Sequence, residues 1–178
     1  MFCENCGVTL REGSQFCASC GTKAAVAVDP GRKLAELYQR VVQDELGLSA
    51  TIEEDGDVLF DHPDLGGFFI SLNAEKDPEC MRLMLPAFAF DATRWAALED
   101  LMRICNGINV KSKLATLTVH EDANISITAS VGLVLAAPDT SPDEALVRAV
   151  INRAMSSIKS AVEKFAAELQ KLNSAPTA

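Results

Sequence analysis

Two segments near the N-terminus, FCENCG and FCASCG, each place two cysteines with two residues between them. The pairs are Cys3 with Cys6 and Cys17 with Cys20. Each pair can form a short knuckle, so the two together offer four thiolates to one tetrahedral ion, for which zinc is the typical metal. We therefore predict one zinc per chain. The site is expected to be structural, because four cysteines leave no coordination position open for water or substrate.

The alternatives for such cysteines are redox pairs and structural disulfides. The N-terminal sequence MFCENCG has neither the basic region nor the apolar region of a signal peptide, which predicts that the protein stays in the cytoplasm. Paired cysteines in a reducing cytoplasm are more often metal ligands than disulfides. The sequence also has no apolar run of the ~20 residues that a membrane crossing needs, so we expect no membrane span.

The residues around the cysteines predict how this segment folds. Gly7 and Gly21 follow the second cysteine of each pair, where a turn can require a positive φ. Phe2 and Phe16 precede the pairs and are expected to pack together as a minimal core, while REGSQ at 11–15 predicts a hairpin tip. A segment of this size buries too little apolar surface to fold alone. The metal should therefore supply most of its folding free energy, on the order of 10 kcal/mol.

The remaining sequence predicts a second, larger domain. Residues 1–22 resemble the short zinc-ribbon modules at the N-termini of many bacterial and archaeal proteins, a resemblance that implies a metal and little else. The small, unpatterned residues that follow predict a linker at 23–30. The larger domain is then expected at 31–172, with a disordered tail at 173–178.

Apolar periodicity and turn residues predict the elements of this domain. The helices are expected from Pro30 to Gly47 with Asp29 as cap, from Asp91 to Asn106-Gly107, and from a capping box at Ser141 to Leu172. The strands are expected at Ala50–Glu53, Val58–Phe60, Gly67–Leu72, Cys80–Phe88, Leu114–His120 and Ile125–Val131. This order, α-β(3–4)-α-β-β-α, predicts an α+β domain in which helices flank an antiparallel sheet.

The element order resembles the type III secretion chaperone-like fold, and in particular the YbjN family of bacterial proteins. The stretch LMRICNGINVKSKLATLTVHEDANISITASVGL is similar to the middle of that family, where a helix ends in an asparagine-containing turn before two strands. Asn106 and Asn109 stand in that turn, and the resemblance covers residues 31–170. It implies a dimeric chaperone or adaptor that binds other proteins, or a regulator.

Few residues favour catalysis. His62 lies in DHPD at 61–64, where a metal site is one interpretation and a solvated turn is the more typical one. His120 stands beside a polar hairpin, and Cys80 and Cys105 lie on apolar faces, as small buried cysteines do. There is no glycine-rich phosphate loop. We therefore predict a protein that is not an enzyme, with an uncharacterised enzyme as the third interpretation.

The net charge of −9 makes nucleic acid an improbable partner, because a binder should present a basic stripe and the sequence shows none. The first hypothesis is a non-enzymatic protein-binding module, chaperone-like, adaptor-like or regulatory, with a structural zinc. The alternative is a zinc-ribbon transcriptional or signalling regulator.

The third predicted helix, about 48 Å long, is longer than a small sheet requires. It can cover the edge of the sheet, or its last turns can contact a protein partner in a homodimer. The apolar positions expected at such a contact recur on one helix face and are Ile158, Val162, Phe165 and Leu169.

Overall fold

The computed structural model describes residues 2–10, 16–22, 30–122 and 124–174. The chain forms two compact units, residues 1–30 and 31–178. No helix in the described ranges is long and apolar enough to cross a membrane. The hairpin tip at 11–15, residues 23–29 of the predicted linker at 23–30 with the cap Asp29, and residues 175–178 of the predicted tail at 173–178 fall outside the described residues. Pro30 already belongs to the first helix and residues 173–174 to the last one, so the linker and the tail were predicted too long there.

The larger unit has the predicted α+β architecture. Its helices are α1 (Pro30–Val41), which continues into a π-helical turn at Val42–Leu46, α2 (Leu98–Asn109) and α3 (Glu144–Ser174). Its strands are β1 (Ala50–Ile52), β2 (Val58–His62), β3 (Gly66–Ser71), β4 (Cys80–Ala89), β5 (Thr116–Glu121) and β6 (Ile125–Val134). All six strands belong to one antiparallel sheet in the order β1-β2-β3-β4-β6-β5.

The core lies on one face of this sheet. Alternate strand residues point to opposite faces, so Val58 and Phe60 of β2 are buried while Leu59 between them is exposed. The buried strand residues form one cluster with buried residues of all three helices. The longest contribution comes from α3, whose buried positions recur every three or four residues: Val147, Ile151, Ala154, Met155, Ile158, Ala161 and Phe165.

Two helix starts differ from the sequence prediction. Instead of a helix from Asp91, the chain makes a 3-10 turn at Ala92–Arg94, and α2 begins at Leu98 and contains the Asn106-Gly107 pair. At α3, the capping residue is Asp143 rather than Ser141, because the backbone N–H of Ala145 donates to its Oδ1 at 2.8 Å. A carboxylate there satisfies a free amide and also suits the positive end of the helix dipole.

The helix α3 is about 46 Å long, and it packs on the domain's own core as far as Phe165. Ile158 is 0% exposed and Phe165 is 3% exposed, and the Phe165 ring meets Phe88 edge-on with centroids 5.5 Å apart. The prediction that these two residues contact a partner is therefore wrong, because they are packed into the domain's own core. Val162 and Leu169 are partly buried and pack against the edge of that core. Their contact with a partner stays a prediction.

Asn109, singled out in the asparagine turn, joins α2 to the edge of the sheet. Its side-chain Nδ2 donates to the Leu117 carbonyl at 2.9 Å, and the Leu117 N–H donates to its Oδ1 at 2.8 Å. Because β5 is an edge strand, these backbone groups would otherwise lack a partner strand. The amide of Asn109 thus replaces a neighbouring strand over one residue of β5.

We expect Asn109→Ala to lower the free energy of unfolding by about 2–3 kcal/mol, because it leaves two backbone groups of the buried Leu117 unsatisfied. Asn106→Ala is the matched control, since Asn106 is exposed on the same helix and should change stability by less than about 0.5 kcal/mol. Urea unfolding followed by circular dichroism measures both variants. Equal effects of the two substitutions would contradict the assigned role of Asn109.

Candidate metal centre

The two cysteine pairs form knuckles with the same backbone hydrogen bonds. In the first, the Cys3 N–H donates to the Val8 carbonyl at 2.9 Å and the Gly7 N–H donates to the Cys3 carbonyl at 2.8 Å. The segment Cys17–Thr22 repeats both bonds, at 2.7 and 2.9 Å. Gly7 and Gly21 have φ angles of 72° and 70°, which residues with a Cβ rarely adopt. The glycines therefore permit the turn that directs each pair of thiols inward.

The knuckles bring the four thiols of the N-terminal unit to one place. All four sulfur atoms, those of Cys3, Cys6, Cys17 and Cys20, lie within 4.8 Å of one another. Across the two knuckles, the Sγ atoms of Cys3 and Cys20 are 3.5 Å apart, and those of Cys6 and Cys17 are 3.6 Å apart. None of the cysteines forms a disulfide.

These distances fit a zinc ion. Four sulfurs at the usual Zn–S distance of about 2.3 Å form a tetrahedron with edges of about 3.8 Å. The observed separations are close to that edge, and thiolate sulfur is a preferred zinc donor. Such a centre is closed to further ligands, which is typical of structural rather than catalytic zinc.

Residues beside the thiols also shape the centre. The Oγ1 atom of Thr22 lies 3.2 Å from the Sγ atom of Cys20. Hydrogen bonds with the side chain and backbone of Thr22 lower the pKa of Cys20 to about 6. Asn5 of the first knuckle donates to the same Oγ1 at 3.1 Å, which links the knuckles. The sequence placed Thr22 only at the boundary of the linker. Its position directly after the second Cys-Gly pair was the available signal.

The small core of this unit differs from the sequence prediction. Phe2 and Phe16 were expected to pack together, but they are 69% and 59% exposed. The buried residues are instead Cys3, Leu10 and Cys17. The buried centre of the unit is thus formed by two of the cysteines and Leu10, while both aromatic rings lie at the surface.

The other candidate residues do not form a second metal site. Among the described residues, the four cysteines are the only group of three or more potential metal ligands. In the DHPD segment, the Asp64 N–H donates to Nδ1 of His62 at 3.2 Å, as in a local turn. His120 hydrogen-bonds the Thr128 hydroxyl at 3.1 Å. The metal interpretation of residues 61–64 therefore has no support in the structure.

The remaining two cysteines lie in the larger unit. Cys105 is 3% exposed, and burial raises the pKa of its thiol to about 11. Burial also raises the pKa of Cys80, with added repulsion from Glu79 and Asp77. A thiol with a raised pKa is a poor nucleophile at neutral pH. These environments suit structural cysteines, and the absence of catalysis stays a prediction.

Comparison with known proteins addresses the two units separately. Residues 2–24 match the zinc-ribbon domain family. The N-terminal segment is a zinc-ribbon domain. The match covers this segment alone, and a search of curated proteins finds no significant match to the chain.

The larger unit resembles solved structures. One is YbjN from E. coli, described as a putative transcription regulator. The match covers 72% of this chain and 87% of YbjN, with a TM-score of 0.56 and 12% sequence identity. This likeness establishes a shared fold and no shared activity. Another is the Yersinia pestis type III secretion chaperone SycH, solved in complex with a fragment of YscM2. This match covers 71% of the present chain and 98% of SycH, with a TM-score of 0.42 and 17% sequence identity.

We expect the purified chain to hold one zinc and a Cys17→Ser, Cys20→Ser variant to hold none, because two of four ligands are lost. Cys80→Ser is the control and should retain the metal, since Cys80 lies in the larger unit. Elemental analysis measures all three proteins. Full zinc content in the double variant would remove the assignment.

Proposed function

We propose that this chain is a non-enzymatic protein-binding module that forms a homodimer through the open face of its sheet. In this proposal, Cys3, Cys6, Cys17 and Cys20 hold one structural zinc that folds the ribbon. The module acts in the cytoplasm in this proposal, because paired cysteines that ligate a metal are typical of a reducing compartment. The observation that supports binding is a row of side chains on the sheet face opposite the helices.

This uncharged row crosses all six strands through direct cross-strand neighbours. Its members are, in spatial order, Thr51, Leu59, Phe69, Met84, Ser130 and Thr116. None of them is ionisable, although the chain carries a net charge of −9. Its centre is apolar, with Leu59 38% exposed and with Phe69 and Met84 partly exposed.

Charge favours a second copy of the chain as the occupant of this row. Two copies of a strongly acidic protein repel each other over most of their surfaces, and an uncharged apolar patch is where that repulsion is weakest. A twofold dimer needs a patch that complements itself, which an apolar row provides. Asp61 lies two residues from Leu59 along β2, and Arg82 lies two residues from Met84 along β4 on the other side of the row. In a twofold dimer, Asp61 of one copy can then pair with Arg82 of the other.

The alternative, a regulator that binds nucleic acid through its ribbon, has less support. The described ribbon residues, 2–10 and 16–22, include no lysine or arginine and one glutamate, Glu4. Four thiolates around one Zn²⁺ add a further charge of about −2. Phosphate groups would be repelled by this surface rather than attracted.

We expect the wild-type chain to self-associate and Leu59→Glu to weaken the dimer at least about tenfold, because the substitution places a charge in a desolvated interface. The monomer should stay folded, since Leu59 points away from the core. Met102→Glu is the control, because Met102 is an exposed apolar residue on α2. Light scattering over a concentration series measures the effect, and a wild-type protein that stays monomeric at high concentration would contradict the dimer.

A further inference from the structure

A groove of about 570 Å³ lies between α2 and the last turns of α3, on the helical side of the larger unit. Its floor is apolar and is formed by Ile104 and Ile108 of α2 and Leu172 of α3. Gly107 also lines it, and a Cβ at this position would meet no atom within 4 Å. The missing side chain therefore leaves space in the groove beside α2.

The rim of the groove is basic. Arg103, Lys111, Lys164 and Lys171 line it, against a single carboxylate, that of Glu168. Four cations and one anion give the groove a net charge of about +3 in a chain of −9. The groove thus differs in sign from the protein as a whole, which sequence composition did not reveal.

Two of the rim cations are available to a ligand. Lys171 pairs with Glu168 at 2.7 Å, and Arg103 pairs with Asp100. Within the described ranges, neither Lys111 nor Lys164 belongs to an ion pair. Both ammonium groups are thus outside ion-pair distance of a carboxylate, although Lys111 acts on Glu168 at longer range and helps to lower the pKa of that carboxyl.

We propose that this groove binds a short acidic, amphipathic segment of a partner protein. Apolar side chains of the segment would cover Ile104, Ile108 and Leu172, and its carboxylates would pair with Lys111 and Lys164. From Lys164 to Leu172 the wall of α3 is about 12 Å long, which matches two turns of a helix. The inference rests on the proposed protein-binding role. It adds a second binding surface beside the uncharged row and states the chemistry of the partner that would occupy it.

The apolar floor favours a peptide over nucleic acid. A phosphate backbone gains affinity from a run of cations, and it gains little from buried isoleucine and leucine. An amphipathic helix, by contrast, places apolar residues three and four apart into such a groove. The acidic surface elsewhere on the chain adds repulsion against long polyanions.

The test titrates the zinc-loaded full chain with labelled peptides of about twelve residues and follows fluorescence anisotropy. The first peptide has leucines at helical spacing and glutamates elsewhere, the second replaces glutamate by lysine, and the third replaces leucine by serine. Single-stranded DNA of similar charge is the fourth probe. We expect the first peptide alone to bind and its affinity to fall at least tenfold between low and high salt.

Four variants locate the binding. Lys111→Glu with Lys164→Glu should weaken the first peptide at least tenfold, and Gly107→Phe should abolish binding by filling the groove. Arg153→Glu with Lys159→Glu is the matched control, because it also replaces two exposed cations by glutamate, both on α3 outside the groove lining. Gly107→Ala shows whether a small side chain at this helical position preserves fold and binding. Circular dichroism verifies that each variant is folded.

The outcomes separate this inference from the proposed function. Failure of the first peptide to bind, an equal loss in the Arg153→Glu, Lys159→Glu control, or preferential binding of DNA in the groove would overturn it. If Leu59→Glu still disrupts self-association in that case, the protein-binding role stands and only the groove assignment falls. If neither surface responds, both proposals are wrong.

Discussion

The two-residue alternation of the strands is the constraint on which the larger unit depends. In β2, Val58 and Phe60 enter the core and Leu59 faces away, and the paired strands repeat this division across the sheet. Helices cover one face only, so one continuous core forms beneath them. The opposite face carries the uncharged row, because the same alternation turns every second side chain of each strand away from the core.

The zinc ribbon is stabilised differently. Its buried residues in the described part are Cys3, Leu10 and Cys17, which is far too little apolar surface for independent folding. Repeated backbone hydrogen bonds shape each knuckle, but four crowded thiols gain stability as thiolates only with a cation among them. Metal and core therefore act as two separate sources of stability, one for each unit.

Local sequence patterns predicted the features that depend on residues close together in the chain, namely the metal centre and the strands. Cysteine spacing predicted the metal centre, and apolar alternation predicted all six strands to within a few residues. What failed depended on distant contacts: Phe165 was expected at a partner but packs on Phe88, and Phe2 and Phe16 were expected inside a core that the cysteines fill. The uncharged row and the basic groove were also beyond prediction, because each combines residues from separate elements.

In the proposed dimer, copies of the chain meet at the open sheet face and not at the helical face. The most direct measurement is a dilution series of the zinc-loaded chain followed by amide and methyl NMR shifts. We expect concentration-dependent shifts at Leu59, Phe69 and Met84, with unchanged shifts along α1. Shifts confined to the helices, or none at any concentration, would contradict it.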